Sequence, residues 1–327
     1  MSPSVLHVND AASTARRLIG EAARRGRHWD FLPKAAPAQD WSGPLGQARK
    51  AAIGASWVLR LKLAARRHDI VHVHSASTVA HSRIGAPRYV LHCHGTDVRT
   101  AQYQPRWTAT IRRALTEAEA VFFSTPDLAE HVLGHRSDAI YLPVPIPMAG
   151  IPAWAPAGGR PRVVFASRWG PDKGGQAQLD LAAALVAAVG DDGEVVGVDW
   201  GPQAADAAAR GVVLVPRTDP ERYLELLRTA TVVVGQSAGI LASSELEAMA
   251  AGAPLVVPVP LPLYADSPPP VLGGDPDAAV AAVLRVLGDP GAHDPAAVRS
   301  WVAATHDVTG AYDVVAKVYE GVLADRR

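Results

Sequence analysis

Residues 232–257 read VVVGQSAGILASSELEAMAAGAPLVV. Val232–Val234 is a β-branched run that stops at Gly235. A loop of small residues follows. A helical stretch then begins near Ser244 and stops at Gly252, after which Leu255–Val259 reads as a strand again. Strand, loop, helix and strand in so short a span make a β-α-β unit, because parallel neighbours need a crossover.

The same alternation extends outward from this unit. Upstream, Val163–Ala166, Glu194–Val198 and Val212–Val215 read as strands with helical stretches between them. Further back lies Pro143–Pro161, rich in turn formers and without periodicity, which marks a linker. Before it the alternation runs through Val5–Asn9, a helix over Ser13–Arg25, Asp69–His74, Arg88–His92, Ala120–Ser124 and Ile140–Leu142. Thr309–Asp325 has the spacing of a long amphipathic helix. The stretches near 34–48 and 260–275 read as loops. Two α/β halves of similar size imply a cleft between them, with ligands at the carboxyl ends of parallel strands.

Composition narrows the function. The 327 residues carry 32 Lys+Arg and 32 Asp+Glu, a net charge of zero. That balance argues against nucleic acid as a partner, since binding a polyanion needs excess cation. Hydrophobic residues make up 48% and charged residues 20%, which suits packed cores rather than disorder. The single cysteine, Cys93, can build neither a disulfide framework nor a thiolate cluster, so a reducing compartment is expected. Neither a signal peptide nor a membrane span is expected from the apolar runs.

Three constellations carry chemistry. The first, Ser167-Arg168-Trp169-Gly170-Pro171-Asp172-Lys173-Gly174-Gly175, follows a strand and enters a helix. Arg168 and Lys173 in a glycine-containing loop suit a diphosphate: a bidentate fork, a mobile point charge and helix N–H donors. A solvated loop is the alternative reading. The second is the quoted unit. Ser244-x-x-Glu247 has capping-box spacing, and read alone that spacing favours Glu247 as a cap of its own helix. The alternative is a carboxylate that accepts from a ribose diol. Glu245 lies about 200° around the helix from Glu247, so only one of them can face a shared ligand.

The third is the histidine set. His72 and His74 share a strand face, as do His92 and His94, the last followed by Gly95-Thr96-Asp97. Four histidines invite a metal reading. No H-E-x-x-H and no fixed carboxylate partner accompany them, so no metal site is expected, only a histidine lining the cleft. Asp275-Pro276-Asp277 matches a bare D-x-D but precedes a helix and reads as an N-cap. Asn9-Asp10-Ala11-Ala12-Ser13-Thr14 follows the first strand without a G-x-G-x-x-G, which weakens a nicotinamide-dehydrogenase reading.

Taken in order along the chain, these motifs resemble a GT-B glycosyltransferase of family 4. Ser167-Arg168 through Lys173-Gly174 resembles the family's G-R-L-x-x-x-K-G loop, and Leu246-Glu247-Ala248-Met249-Ala250-Ala251-Gly252-Ala253-Pro254-Leu255-Val256 its L-E-A-M-A-x-G-x-P-V-V segment. Asp69–His74 is similar to its D-V-V-H-V-H strand, His94-Gly95-Thr96-Asp97 to its H-G-x-D loop, and Ser124-Thr125-Pro126 to its strand end. Two departures stand out. Gly239 occupies the position eight before Glu247 where the family carries a first glutamate, and Asp10–Ser13 replaces a Gly-Gly loop.

The resemblance implies two Rossmann-like α/β domains facing across a cleft: an acceptor-side domain over 1–150 and a donor-binding domain over 151–308. A C-terminal helix, 309–327, would pack back on the first. It implies a retaining, metal-independent transfer from a UDP- or GDP-type nucleotide sugar, with no resident cofactor. Arg168 and Lys173 would hold the donor diphosphate and Glu247 the ribose. The backbone of Gly239, Ile240 and Leu241 would approach the donor, with Ser167 and Asp10 beside the nucleotide. His94 would contact the donor sugar. The rival readings are a sugar-nucleotide epimerase, a phosphorylase-like enzyme, or a degenerate binding subunit whose support is Gly239. A cytoplasmic protein is expected. The pairs Arg16-Arg17, Arg24-Arg25, Arg66-Arg67 and Arg112-Arg113 leave room for peripheral contact at the inner membrane face.

Overall fold

A computed structural model describes residues 3–34 and 41–327. It divides into two compact units, Met1–Pro147 with Val308–Arg327, and Met148–Asp307.

The first unit is a six-stranded parallel sheet in the order β2-β1-β3-β4-β5-β6. Its strands are β1 (Val5–Val8), β2 (Trp29–Leu32), β3 (Ile70–His74), β4 (Val90–Cys93), β5 (Ala120–Phe123) and β6 (Ile140–Tyr141). Its helices are α1 (Thr14–Arg24), α2 (Gly43–Ala65), α3 (Ala76–Gly85), α4 (Pro105–Glu117) and α5 (Ala129–Val132). The central strands β1, β3 and β4 are buried at every position, as a parallel sheet covered on both faces requires. One face packs against Leu61, Val79, Ile111 and Leu115. The other is closed by α12 (Val308–Asp325), whose buried Val308, Ala311, Tyr312, Val315, Tyr319 and Val322 fall on one helical face.

The second unit is a parallel sheet in the order β12-β11-β10-β7-β8-β9. It comprises β7 (Arg162–Phe165), β8 (Glu194–Val198), β9 (Val213–Val215), β10 (Val232–Val234), β11 (Leu255–Val257) and β12 (Leu272–Gly273). Around it lie α6 (Gln176–Val189), α7 (Ala204–Ala208), α8 (Pro220–Arg228), α9 (Ser243–Ala251), α10 (Pro276–Gly288) and α11 (Pro295–His306). Asp275 caps α10 by accepting from the Ala278 N–H at 2.8 Å, as its D-x-D turn suggested.

Three elements depart from the sequence reading. The loop expected near 34–48 ends at residue 43, where the 23-residue α2 begins; residues 35–40 of it lie outside the described ones. The loop over 260–275 holds a single-turn helix, Pro262–Tyr264, and the two-residue β12. β2 was not anticipated at all. Among the described residues, no helix is long and apolar enough to cross a membrane.

Candidate active site

In the second unit, the loops after β7 and β10 meet. β7 ends at Phe165, and Trp169 then turns inward and is fully buried against Phe165, ring centroids 5.0 Å apart. Gly197 on β8 makes room for it: a Cβ there would lie 2.5 Å from the indole. With Trp169 anchored, Arg168 and Lys173 are carried above the carboxyl end of the sheet. Gly174 (φ +122°) and Gly175 (φ +54°) then turn the chain into α6. A side chain on Gly174 would meet the Ser237 Cβ at 2.7 Å, so the two loops are in close contact there. The Ser237 N–H donates to the Lys173 carbonyl at 3.1 Å.

Gln236 joins the loops. It is fully buried; its Oε1 accepts from the Lys173 ammonium at 2.9 Å, and its Nε2 donates to the Ile240 carbonyl at 3.0 Å. The lysine thus has a neutral amide as one partner, while its charge also acts on Glu245. Arg168 is placed differently. Its guanidinium donates to Asp172 at 2.7 Å and lies 5.8 Å from the Trp200 ring centroid. With about a third of the side chain exposed, that pair is a weak tether that an arriving phosphate can displace. Ser167 is buried, its hydroxyl accepting from Gln178 Nε2 at 2.8 Å.

The capping expectation for Glu247 is overturned. α9 begins at Ser243, one residue earlier than read, which puts Glu245 at the third helical position. Its carboxylate accepts from the N–H of Ala242 and of Gln236, both at 2.5 Å. Ala242 offers no acceptor in return, so half a capping box forms. Burial pushes the Glu245 carboxyl up to about 7, partly offset by those two N–H groups and by Lys173. Glu247, two residues on, is partly buried, and its charge adds to the burial that raises the Tyr223 phenol. Tyr223 in turn donates to the Ala166 carbonyl at 2.5 Å. Gly239, at φ +70°, has open space where a Cβ would be. Part of the neighbouring backbone is already engaged: the Leu241 N–H donates to the Tyr264 hydroxyl at 3.2 Å, and the Ile240 carbonyl accepts from Gln236 Nε2.

The first unit holds Asp10 and His94, after β1 and β4. Asp10 Oδ1 accepts from the Ala15 N–H at 3.0 Å, and Arg16 stands 3.5 Å from Oδ2, so this carboxylate serves the start of α1. Ala12 and Ser13 adopt φ +52° and +57°, the left-handed conformation a Gly-Gly loop would take without strain. Asp97 builds the loop after β4. Its Oδ1 accepts from the N–H of Gly95 and Val98 at 3.0 Å, and its Oδ2 from Ala76 at 2.8 Å.

The histidines form a stack of five, not two pairs. The register sets His7 beside His72 and His74 beside His92. Stacked or tilted rings run from His7 to His94, the closest centroids being His92 and His94 at 4.2 Å. His7 Nδ1 meets His74 Nε2 at 3.0 Å, and His74 Nδ1 meets His94 Nε2 at 2.9 Å. His72 Nδ1 meets the Tyr319 hydroxyl of α12 at 2.6 Å. His7, His72, His74 and His92 are wholly buried and belong to the core. Only His94 is partly exposed, and its Nδ1 is buried without a partner. Burial holds all five imidazoles neutral, lowering His7 to about 3 and His94 to about 4; Asp97 opposes the shift at His94. The trios His7-His72-His74 and His74-His92-His94 each bring ring nitrogens within 4.8 Å. Within the trios, the His7–His74 and His74–His94 nitrogens already face each other at 3.0 and 2.9 Å, hydrogen-bond distances.

Sequence reasoning missed Gln236, Glu245, Trp169 and His7. Gln236 and Glu245 stood in the quoted stretch, but only the helix start at Ser243 reveals their roles. His7 was visible as the third member of an alternating His pattern.

No family model matches the chain, and no curated protein matches it. Solved structures do. Sucrose-phosphate synthase from Thermosynechococcus elongatus aligns at TM-score 0.70 and 17% identity, covering 98% of this chain and 100% of that one. HepE from Anabaena, in complex with UDP and glucose, aligns at TM-score 0.68 and 13% identity over 97% and 99%. AviGT4, a glycosyltransferase of avilamycin A biosynthesis, aligns at 0.65 and 20% identity over 98% of each chain. A putative UDP-N-acetylglucosamine 2-epimerase from Listeria monocytogenes also matches, at 0.60 and 14%. The two parallel α/β units of this chain therefore have the GT-B fold of glycosyltransferases over nearly its whole length.

Proposed function

We propose that the protein is a retaining, metal-independent glycosyltransferase that takes its sugar from a UDP- or GDP-type donor. The observation that carries this reading is the junction of the β7 and β10 loops, where Lys173 is held by the neutral Gln236 and Arg168 by the displaceable Asp172. Two cations at a helix start match a diphosphate, the leaving group of such a transfer. Their task is to stabilise negative charge as the bond from the anomeric carbon to the diphosphate oxygen breaks, and preorganised charges do so without reorganisation. Glu247, relieved of capping by Glu245, is assigned to the ribose. The first unit is assigned the acceptor, and His94, as a neutral imidazole, is assigned to the donor sugar. The complexes of HepE with UDP and with UDP-glucose support a uridine donor by analogy of fold.

The epimerase reading keeps one specific support, the fold neighbour of that name. Incubation with a panel of UDP- and GDP-sugars, followed by proton NMR, separates the two. The transferase releases nucleoside diphosphate and a sugar of unchanged ring configuration, and with acceptor present forms a glycoside of retained anomeric configuration. An altered ring stereocentre on an intact sugar nucleotide would contradict it.

A further inference from the structure

The long helix α2 is nearly bare. Of its 23 residues only Trp57 and Leu61 are buried. Leu45, Leu59 and Leu63 are 88%, 57% and 48% exposed. At 100° per residue, Leu45, Ala48, Ala52, Leu59 and Leu63 fall within a strip about 60° wide, close to opposite Trp57 and Leu61. An apolar strip on the face turned away from the core has no role in folding the unit.

Its flanks are cationic. From Ser42 to Arg67 the chain carries Arg49, Lys50, Arg60, Lys62, Arg66 and Arg67 and no acidic residue, while the whole chain sums to zero. All six are exposed, and among the described residues none makes an ion pair. Arg49 and Arg60 lie on one side of the strip and Lys62 on the other, Arg66 follows the last helical residue, and Lys50 falls on the Trp57–Leu61 side. Beside the carboxyl end of α2, a groove of about 330 Å³ is lined by Lys62, Arg66, Arg88, Arg326 and one carboxylate, Asp69. Asp69 is occupied there by the Ser4 N–H and hydroxyl, each at 2.8 Å, and Arg326 by Glu119. α3 packs closely on α2 at Gly85, where a Cβ would lie 2.9 Å from the Val58 carbonyl, and it adds the 68% exposed Ile84 nearby.

We infer that α2 is a docking surface for an anionic lipid bilayer. The strip would enter the headgroup boundary, the flanking cations would meet lipid phosphates, and the groove would take one phosphate headgroup. The charge decides the occupant. A second copy of the Ser42–Arg67 segment would set six cations against six. Nucleic acid would use the cations and leave the leucines in water. An anionic bilayer uses both. The three other basic pairs of the sequence contribute less: Arg16 stands 3.5 Å from Asp10 and Arg17 donates to the Pro145 carbonyl, Arg24 and Arg25 pair with Glu21, and Arg113 stands 3.7 Å from Glu117.

The test is sedimentation of the full chain with phosphatidylcholine vesicles, with and without phosphatidylglycerol. Binding is expected only with phosphatidylglycerol and should weaken at high salt. The triple variant Leu45→Glu, Leu59→Glu, Leu63→Glu changes exposed residues, so its melting and its UDP response should match wild type while vesicle binding falls about tenfold or more. Lys62→Glu with Arg66→Glu should lower binding as well and flatten the salt dependence. Equal binding to uncharged vesicles, or unchanged binding by the triple variant, would overturn the inference. So would a dimer in sedimentation velocity that the triple variant abolishes, which would make the strip an interface between copies. None of these outcomes depends on the transfer reaction, so the two readings fail separately.

Discussion

Glu245 and Glu247 stand two residues apart and do different work. Glu245 is buried and satisfies two backbone N–H groups, one of them on Gln236, whose side chain holds Lys173. Removing it orphans both donors, so Glu245→Ala should lower stability by about 2 kcal/mol or more, read by chemical denaturation. Glu247→Gln should leave stability near wild type and weaken nucleotide binding, read by calorimetry. The reverse pattern would return the capping role to Glu247. At this scale the residue types were legible and their partners were not. Arg168, Lys173 and Glu247 were singled out by spacing, but a two-residue shift of the N-cap of α9, from Ser244 to Ala242, moved the cap from one glutamate to the other. That shift depends on tertiary contacts of Gln236, which no local pattern encodes.

The core strands were legible as elements because a parallel sheet covered on both faces demands apolar runs, which β5, β7 and β8 have, while β3 and β4 alternate or end theirs with histidines. α2 was not legible because its outward leucines and inward Trp57 cancel any single apolar face, and its Ala- and Gly-rich start mimics a loop. β2 was missed because Asp30 interrupts its apolar run, Trp29-Asp30-Phe31-Leu32, and β12 is only two residues long. The β1-β3-β4 layer also carries a physical cost visible only in three dimensions, since it buries neutral imidazoles. An unfolded histidine titrates near 6.5, whereas these are held far lower by burial. Each therefore stabilises the fold fully above 6.5 and loses roughly 1.4 kcal/mol per pH unit below it, until its folded pKa is reached. Glu245, raised to about 7 from 4.5, works in the opposite direction and offsets about one histidine between those values. Melting followed by circular dichroism should show a steep fall in Tm between pH 6.5 and about 4. A flat profile would mean that the stack is hydrated and its imidazoles are not held neutral.

Over the whole molecule, the GT-B architecture was legible from the order of weak motifs, although no family model or curated protein matches the chain. Each fragment fixes one strand end, and the order of strand ends fixes the topology. The division of charge was not legible, because a net of zero conceals a stretch from Ser42 to Arg67 with six cations and no acidic residue. The transfer reading depends on the paired cations of the second unit gripping a diphosphate, and melting with and without UDP or GDP measures that grip directly. A nucleotide at 100 times its dissociation constant should stabilise wild type by about 2.7 kcal/mol. The double variant Arg168→Ala, Lys173→Ala should fold and lose most of that gain. A double variant that still responds like wild type, or a wild type that responds to no nucleoside diphosphate, would contradict the assignment.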